Sequence, residues 1–198
     1  MGLKIFAGDK TYRDTSMVMN HNFLDFVNPD KKNECNINLQ GDYFQTRESA
    51  PLIREWCNKS VQKDNIINNN PFKKRYNNNN DVFIHVRLDD ARQFAPSFEY
   101  FDTILGKLEF DVGYISSDTI RDPLCEKLIT KYNLIPLNLD EIKTIQFGST
   151  CKTIILSNGT FSWMLGVLAF FSKIYNPIRK REWHGDIFVF PDWTSCKW

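Results

Sequence analysis

Residues 155–171 read ILSNGTFSWMLGVLAFF, a pattern that a strand feeding into a helix satisfies and few other arrangements do. The apolar run stops in Ser157-Asn158-Gly159-Thr160 and then restarts as a longer apolar segment. Hydroxyl, amide and glycine residues between two apolar runs spell a strand end, a tight turn and a helix start. The first N–H groups of a helix have no partner within it, and the helix dipole is positive there. Such a junction draws anions. A second segment, DVFIHVRLDD at 81–90, reads as an apolar strand that ends in His85, Arg87, Asp89 and Asp90. One strand end thus offers N–H donors and hydroxyls, the other a cation and carboxylates.

With 198 residues, 42% hydrophobic and 25% charged, the chain can bury a sizeable core as one α/β domain or as two small lobes. A net charge of +1 gives no electrostatic case for nucleic acid or an anionic membrane surface. The basic clusters Lys73-Lys74-Arg75 and Arg179-Lys180-Arg181 read as solvated loop faces. Five cysteines without CxxC spacing read as free thiols in a reducing compartment. The first residues lack a long apolar stretch, and the apolar run at 164–171 is too short to span a bilayer. The expectation is a soluble, cytoplasmic protein without an integral membrane segment. No spacing of His, Cys, Asp or Glu suggests a metal ligand set.

Strand-like and helix-like segments alternate along the chain. Residues 3–8 read as a first short strand, and Ser49-Ala50-Pro51 as a helix start with proline where its missing N–H costs nothing. Residues 65–80, rich in asparagine and containing Pro71, read as an exposed, poorly ordered connection. That connection would divide the chain into regions 1–80 and 81–198. Beyond it, strands at 82–86, 112–115, 134–137 and 153–156 alternate with helices at 97–108, 122–132, 140–147 and 160–172. This alternation predicts an α/β fold, a Rossmann-like parallel sheet with helices on both faces. Ligands bind such sheets at the carboxyl ends of the strands. His85 and Arg87, Ser116 and Asp118, Ser157 and Thr160 all fall there.

HVRLDD, then YISSD, then ILSNGTFSW before an apolar helix resembles the α-1,2-fucosyltransferases and, more broadly, the superfamily that holds the α-1,6 and protein O-fucosyltransferases. The family's first motif is His-x-Arg-Arg-Gly-Asp, its second a Ser-Asp at a strand end, its third Ser-Asn-Ser-Thr-Phe-Ser-Trp-Trp. LQGDYFQ at 39–45 is similar to a further family segment, Leu-x-Gly-Tyr-x-Gln, that precedes a helix containing Ile-Arg-Glu, here Ile53, Arg54 and Glu55. The resemblance covers about 39–193. Leu88 replaces the second arginine of the first motif, Asp89 its glycine, and Met164 the second tryptophan of the third. The region ahead of the first motif is also shorter than the family's.

The resemblance implies an inverting, metal-independent glycosyltransferase with GDP-L-fucose as donor substrate, no cofactor, and a glycan hydroxyl as acceptor. Residues 81–198 would be the C-terminal, nucleotide-binding lobe of a GT-B-type enzyme, and 1–80 a reduced acceptor-side lobe. A second copy or a partner protein would then supply what is missing, in a microbial or, if viral, host cytoplasm. Expulsion of a nucleoside diphosphate needs a fixed cation and aligned donors. Arg87 offers a planar fork for phosphate oxygens, and Thr160 with the N–H groups of 159–162 completes a cradle. His85 alone reads as a buried, hydrogen-bonded histidine; the resemblance sets it against the nucleotide base. Asp118 reads as a turn cap, or by resemblance as part of the donor site. The binding set is therefore His85, Arg87, Asp118, Ser157, Asn158, Thr160, Phe161 and Ser162, with Arg87 and Asp90 as the catalytic candidates. Asp89, Glu48 and Asp42 remain alternatives to Asp90 as general base. Another nucleotide sugar on the same scaffold, or a non-catalytic nucleotide-binding or partner module, are the rival readings.

Overall fold

A computed structural model of the chain describes residues 16–18, 36–38, 47, 49–178 and 187–197. The expected strand at 3–8, the segment at 39–45 with Asp42, Glu48, Cys35 and the basic cluster at 179–181 lie outside the described residues. Two short strands, β1 (Ser16–Val18) and β2 (Asn36–Asn38), pair in parallel with Met17 opposite Ile37. Helices α1 (Ser49–Asn58) and α2 (Ser60–Asn68) follow.

The rest alternates as its pattern predicts: β3 (Val82–Val86), α3 (Phe98–Leu105), β4 (Gly113–Ser117), α4 (Pro123–Tyr132), β5 (Ile135–Pro136), α5 (Glu141–Gly148), β6 (Thr153–Ile155) and α6 (Thr160–Val167). Two further strands, β7 (Lys173–Pro177) and β8 (Thr194–Cys196), complete the sheet. All six strands from β3 on are parallel, in the order β5-β4-β3-β6-β7-β8. Counted from β3, that is the 3-2-1-4-5-6 order of the doubly wound Rossmann arrangement.

Alternation along β3 sorts the core. Val82, Ile84 and Val86 face α3 and α4, packing with Phe101, Leu105, Cys125 and Leu128. Phe83 faces the other way, into a cluster with Phe147 of α5, Trp163 and Leu165 of α6, and Ala50 and Cys57 of α1. Successive strand side chains point to opposite faces, so His85 shares the face of Phe83 and of α6. Every residue of β3 is buried, as a central strand covered on both faces must be.

Local chemistry sets the helix boundaries. Asp122 caps α4 by accepting the Leu124 N–H at 2.9 Å, with Pro123 behind it, and Asn133 ends the helix in the left-handed region at φ 51°. Asp140 accepts the Lys143 N–H at 2.7 Å at the start of α5. The helix expected to run to 172 stops at Val167. Residues 168–171 are apolar without a period that fixes a helical face, and the chain turns to enter the sheet as β7. The unexpected β7 contains Asn176 and Pro177, poor strand formers. Asn176 is buried opposite Ser195 of β8, whose hydroxyl donates to Asn176 Oδ1 at 3.3 Å.

The asparagine-rich stretch is folded rather than an exposed, poorly ordered connection. Asn70, 3% exposed, donates to Gln146 O at 2.8 Å and Tyr76 Oη at 2.9 Å and accepts the Phe72 N–H at 2.8 Å. Asn79 donates to Arg75 O and Thr150 O and accepts the N–H groups of Asp81 and Lys152. A carboxamide carries both donors and acceptors, so these side chains bind a turn-rich segment to the start of β3 and the end of α5. Arg75 likewise is no solvated loop residue: it bonds Asp81 at 2.7 Å and Thr150 at 3.1 Å and lies 4.4 Å over the Phe147 ring. No helix among the described residues is long and apolar enough to cross a membrane. Cys57, Cys125, Cys151 and Cys196 are free thiols.

Arg75→Ala leaves Asp81, buried at 6% exposure, without its cation. It should cost about 3 kcal/mol in urea unfolding. Lys143→Ala breaks only the exposed pair with Asp140, and should cost under about 0.5 kcal/mol. Equal costs would contradict the assignment of Arg75 as a core clamp.

Candidate active site

In an open parallel sheet the ligand crevice opens where the strand order reverses, because the loops on either side leave in opposite directions. Here that point lies between β3 and β6. Register makes the crevice deeper on one side: Ile84 is opposite both Ile115 and Ile155, after which β6 ends while β3 continues as His85 and Val86 beside Ser116 and Ser117. A cleft of about 470 Å³ occupies the position, lined among others by His85, Arg87, Asp118, Asn158, Gly159 and Thr160.

His85 is 5% exposed and bonds the Ser162 hydroxyl through Nδ1 at 2.6 Å. The same hydroxyl accepts the Ser157 N–H at 3.0 Å. The Ser162 hydroxyl, with one proton and two lone pairs, can serve either tautomer of the neutral imidazole. Burial pushes His85 down to about 4; Asp118 opposes the shift and the Arg87 charge adds to it. His85 is therefore neutral near pH 7, and its ring lies 4.7 Å from that of Phe161 at a tilt of 37°.

Between β6 and α6, Gly159 adopts φ 97°, ψ 164° at the helix N-cap. Only glycine takes this conformation without strain, and a Cβ there would meet nothing within 4 Å, so the backbone faces open space. The cap has no side-chain bond, and the first N–H groups of α6 have no intrahelical acceptor. The Asn158 amide donates to Phe94 O, which draws the turn toward the loop after β3. Ser157 Oγ and Asn158 Oδ1 are buried without hydrogen-bond partners. Unpaired polar atoms in such a place are costly.

Arg87 stands opposite, its guanidinium shared between Asp118 and Asp90. Asp118 also accepts the Leu88 N–H at 2.9 Å. Leu88 itself is buried at 2% exposure among Val86, Tyr100 and Phe101. The position at which the resembling family carries a second arginine is thus a core position here, where an unpaired guanidinium would be expensive.

Of the residues singled out from sequence, His85, Arg87, Asp90, Asp118, Asn158, Thr160 and Phe161 line the cleft. Ser157 and Ser162 do not; both have no exposed surface and lie behind it, holding His85 and the turn. Asp89 is exposed and outside the lining. Arg54 is elsewhere, paired with Asp192 at 2.5 Å and stacked 4.4 Å over Phe190. Sequence reasoning missed Glu141 and Thr144, which close the far wall from the first turn of α5. The signal was present: α5 follows β5 in the same alternation, so its N-terminus had to reach the same sheet edge. No group of three or more potential metal ligands occurs among the described residues.

Because the folded pKa of His85 lies below the ordinary 6.5, the unfolded chain binds the extra proton first on acidification. Stability is complete above about pH 6.5 and falls as the pH drops toward 4, by about 3 kcal/mol in all. Urea unfolding across this window should show a steeper slope in the native chain than in His85→Gln. An identical slope in both would place the titration elsewhere.

No protein-family model and no curated protein matches the chain. The chemistry is therefore read from the crevice and from the motif segments that line it.

Proposed function

We propose that the chain is an inverting, metal-independent glycosyltransferase that moves L-fucose from GDP-L-fucose to a sugar hydroxyl, in an α-1,2 linkage. The observation that carries the reading is the pairing, across one crevice at the sheet's switch point, of Arg87 with the glycine-started N-terminus of α6. A fixed fork of N–H donors and the positive end of the α6 dipole face the same space. That is what a departing diphosphate requires. The guanosine and fucose parts of the proposal rest on the resemblance at LQGDYFQ, HVRLDD, YISSD and ILSNGTFSW.

In this reading the diphosphate sits between Arg87 and α6, and the neutral His85, tilted against Phe161, borders the nucleoside. Arg87 and the helix N-terminus supply the charge stabilisation that a divalent ion supplies in other transferases. Of the general-base candidates among the described residues, Asp89 and Asp90, it is Asp90 that lines the cleft. The acceptor binds against residues 1–80, or against a second copy or partner. One observation favours the rival, a nucleotide-binding module without catalysis: with Leu88 in the core, the first motif contributes a single guanidinium.

GDP should raise the melting temperature and UDP should not, a ligand at a hundred times its Kd being worth about 2.7 kcal/mol. Hydrolysis of GDP-fucose by the purified chain separates enzyme from binder, and it should persist in EDTA. Arg87→Ala should slow it about a hundredfold, roughly 3 kcal/mol of transition-state stabilisation. Arg87→Lys should recover little, because an ammonium keeps the charge and loses the fork. An equal shift with UDP refutes the guanosine assignment; intact GDP-fucose after prolonged incubation refutes the enzyme.

A further inference from the structure

We propose that Asp90 holds the diphosphate's place on Arg87 in the free protein, and that donor binding exchanges this carboxylate for phosphate and releases Asp90 as the proton acceptor. The inference rests on the reading of the cleft as a nucleotide-sugar site. It orders the reaction, with the donor entering before the nucleophile is activated.

The two carboxylates on Arg87 are not equivalent. Asp118 directly follows β4, whose register with β3 sets Ser116 and Ser117 beside His85 and Val86. Its second oxygen accepts the Leu88 N–H at 2.9 Å and the Ser117 hydroxyl at 3.3 Å, and its side chain is 23% exposed. Displacing it would break a backbone anchor and free the buried Leu88 turn. Asp90 lies three residues beyond Arg87 in a tight 3₁₀ turn (Asp89–Phe94), and its side chain is 74% exposed. Among the described residues its carboxylate bonds Arg87. A diphosphate entering between Arg87 and Gly159 meets one carboxylate that is anchored and one that is held by an exposed ion pair. Exposed pairs are weak, and phosphate oxygens take a guanidinium bidentately with more charge than a carboxylate brings. Asp90 gives way.

Once displaced, Asp90 stays in the cleft that holds the donor. The acceptor hydroxyl oxygen, or water in its absence, then bonds to C1 of the sugar while its proton passes to an Asp90 oxygen. The C1–O bond to the β-phosphate breaks, and its electron pair leaves with the nucleoside diphosphate, now paired with Arg87. Asp118 stays on Arg87 throughout and keeps the guanidinium in place.

The test is calorimetric titration of GDP and of inorganic pyrophosphate into the full chain, with UDP as the base control, together with GDP-fucose hydrolysis. The proteins compared are the native chain, Asp90→Asn and Asp89→Asn. Asp90→Asn should bind both ligands about fivefold tighter and yet hydrolyse the donor more slowly. Asp89→Asn removes an equal charge from the adjacent exposed position outside the cleft, and should change either affinity less than about twofold. Asp90→Asn binding no tighter than the native chain overturns the exchange. Equal tightening by Asp89→Asn overturns it too, since general charge removal would then explain the gain. Pyrophosphate binding with the expected Asp90 dependence, while GDP binds no better than UDP, leaves the exchange standing and removes the guanosine reading. Failure of all three proteins to bind either ligand refutes both.

Discussion

One hydroxyl ties the crevice together. Ser162, on the first turn of α6, accepts the Ser157 N–H from the end of β6 and shares a hydrogen bond with His85 Nδ1 at the end of β3. Three elements thus meet at a side chain with no exposed surface, on the two strands that flank the sheet's switch point. Without this bond the turn at 157–159 would lose the contact that sets the N-terminus of α6 against β3. His85 would also be a buried imidazole with no partner for Nδ1, a loss of one to a few kcal/mol by the usual cost of an orphaned polar group. The neutral state of His85 follows from its place there: burial disfavours a second proton on the ring.

The two walls of the crevice divide the electrostatic work. The α6 side has backbone N–H groups and a glycine with φ 97°, fixed dipoles that need no counter-ion. The β3 side has a formal cation, which the free protein must neutralise, and it does so with Asp118 and Asp90. A buried leucine stands where the resembling family has a second arginine, so Arg87 carries the whole positive charge of its motif. Its balance between anchored and exposed carboxylates therefore governs how an anion enters.

Much of this was legible in the sequence because it rests on local chemistry. Ser-Asn-Gly-Thr between apolar runs, Asp122-Pro123 and Asp140 mark helix starts by capping, and the alternation of β3 puts His85 on the α6 face. The parallel sheet and the gathering of polar clusters on one of its edges followed from strand–helix alternation; the strand order and the last two strands did not. What escaped the sequence depends on tertiary context. Asn70 and Asn79 look like loop residues until their carboxamides are seen bonded to α5 and to the turn before β6. β7 ends in Asn176 and Pro177, which form strands poorly and are held there by β8. Arg54, quoted for its place in a family segment, is a clamp on Asp192 and Phe190 instead of a cleft residue. Ser157 and Ser162 carry the right residue types at the right spacing, yet they shape the site from behind and do not face it. Spacing cannot tell a ligand-facing hydroxyl from one that points into the fold.

The central claim is that a nucleoside diphosphate binds at the switch point, between Arg87 and the start of α6. Amide and side-chain NMR shifts on addition of GDP test it most directly. The account predicts that the backbone signals of Gly159, Thr160 and Phe161, the Arg87 guanidinium and the His85 ring move together and saturate with one affinity, while α1 and β8 stay unmoved. Saturable shifts centred on any other surface, with Gly159 to Phe161 unaffected, would contradict it.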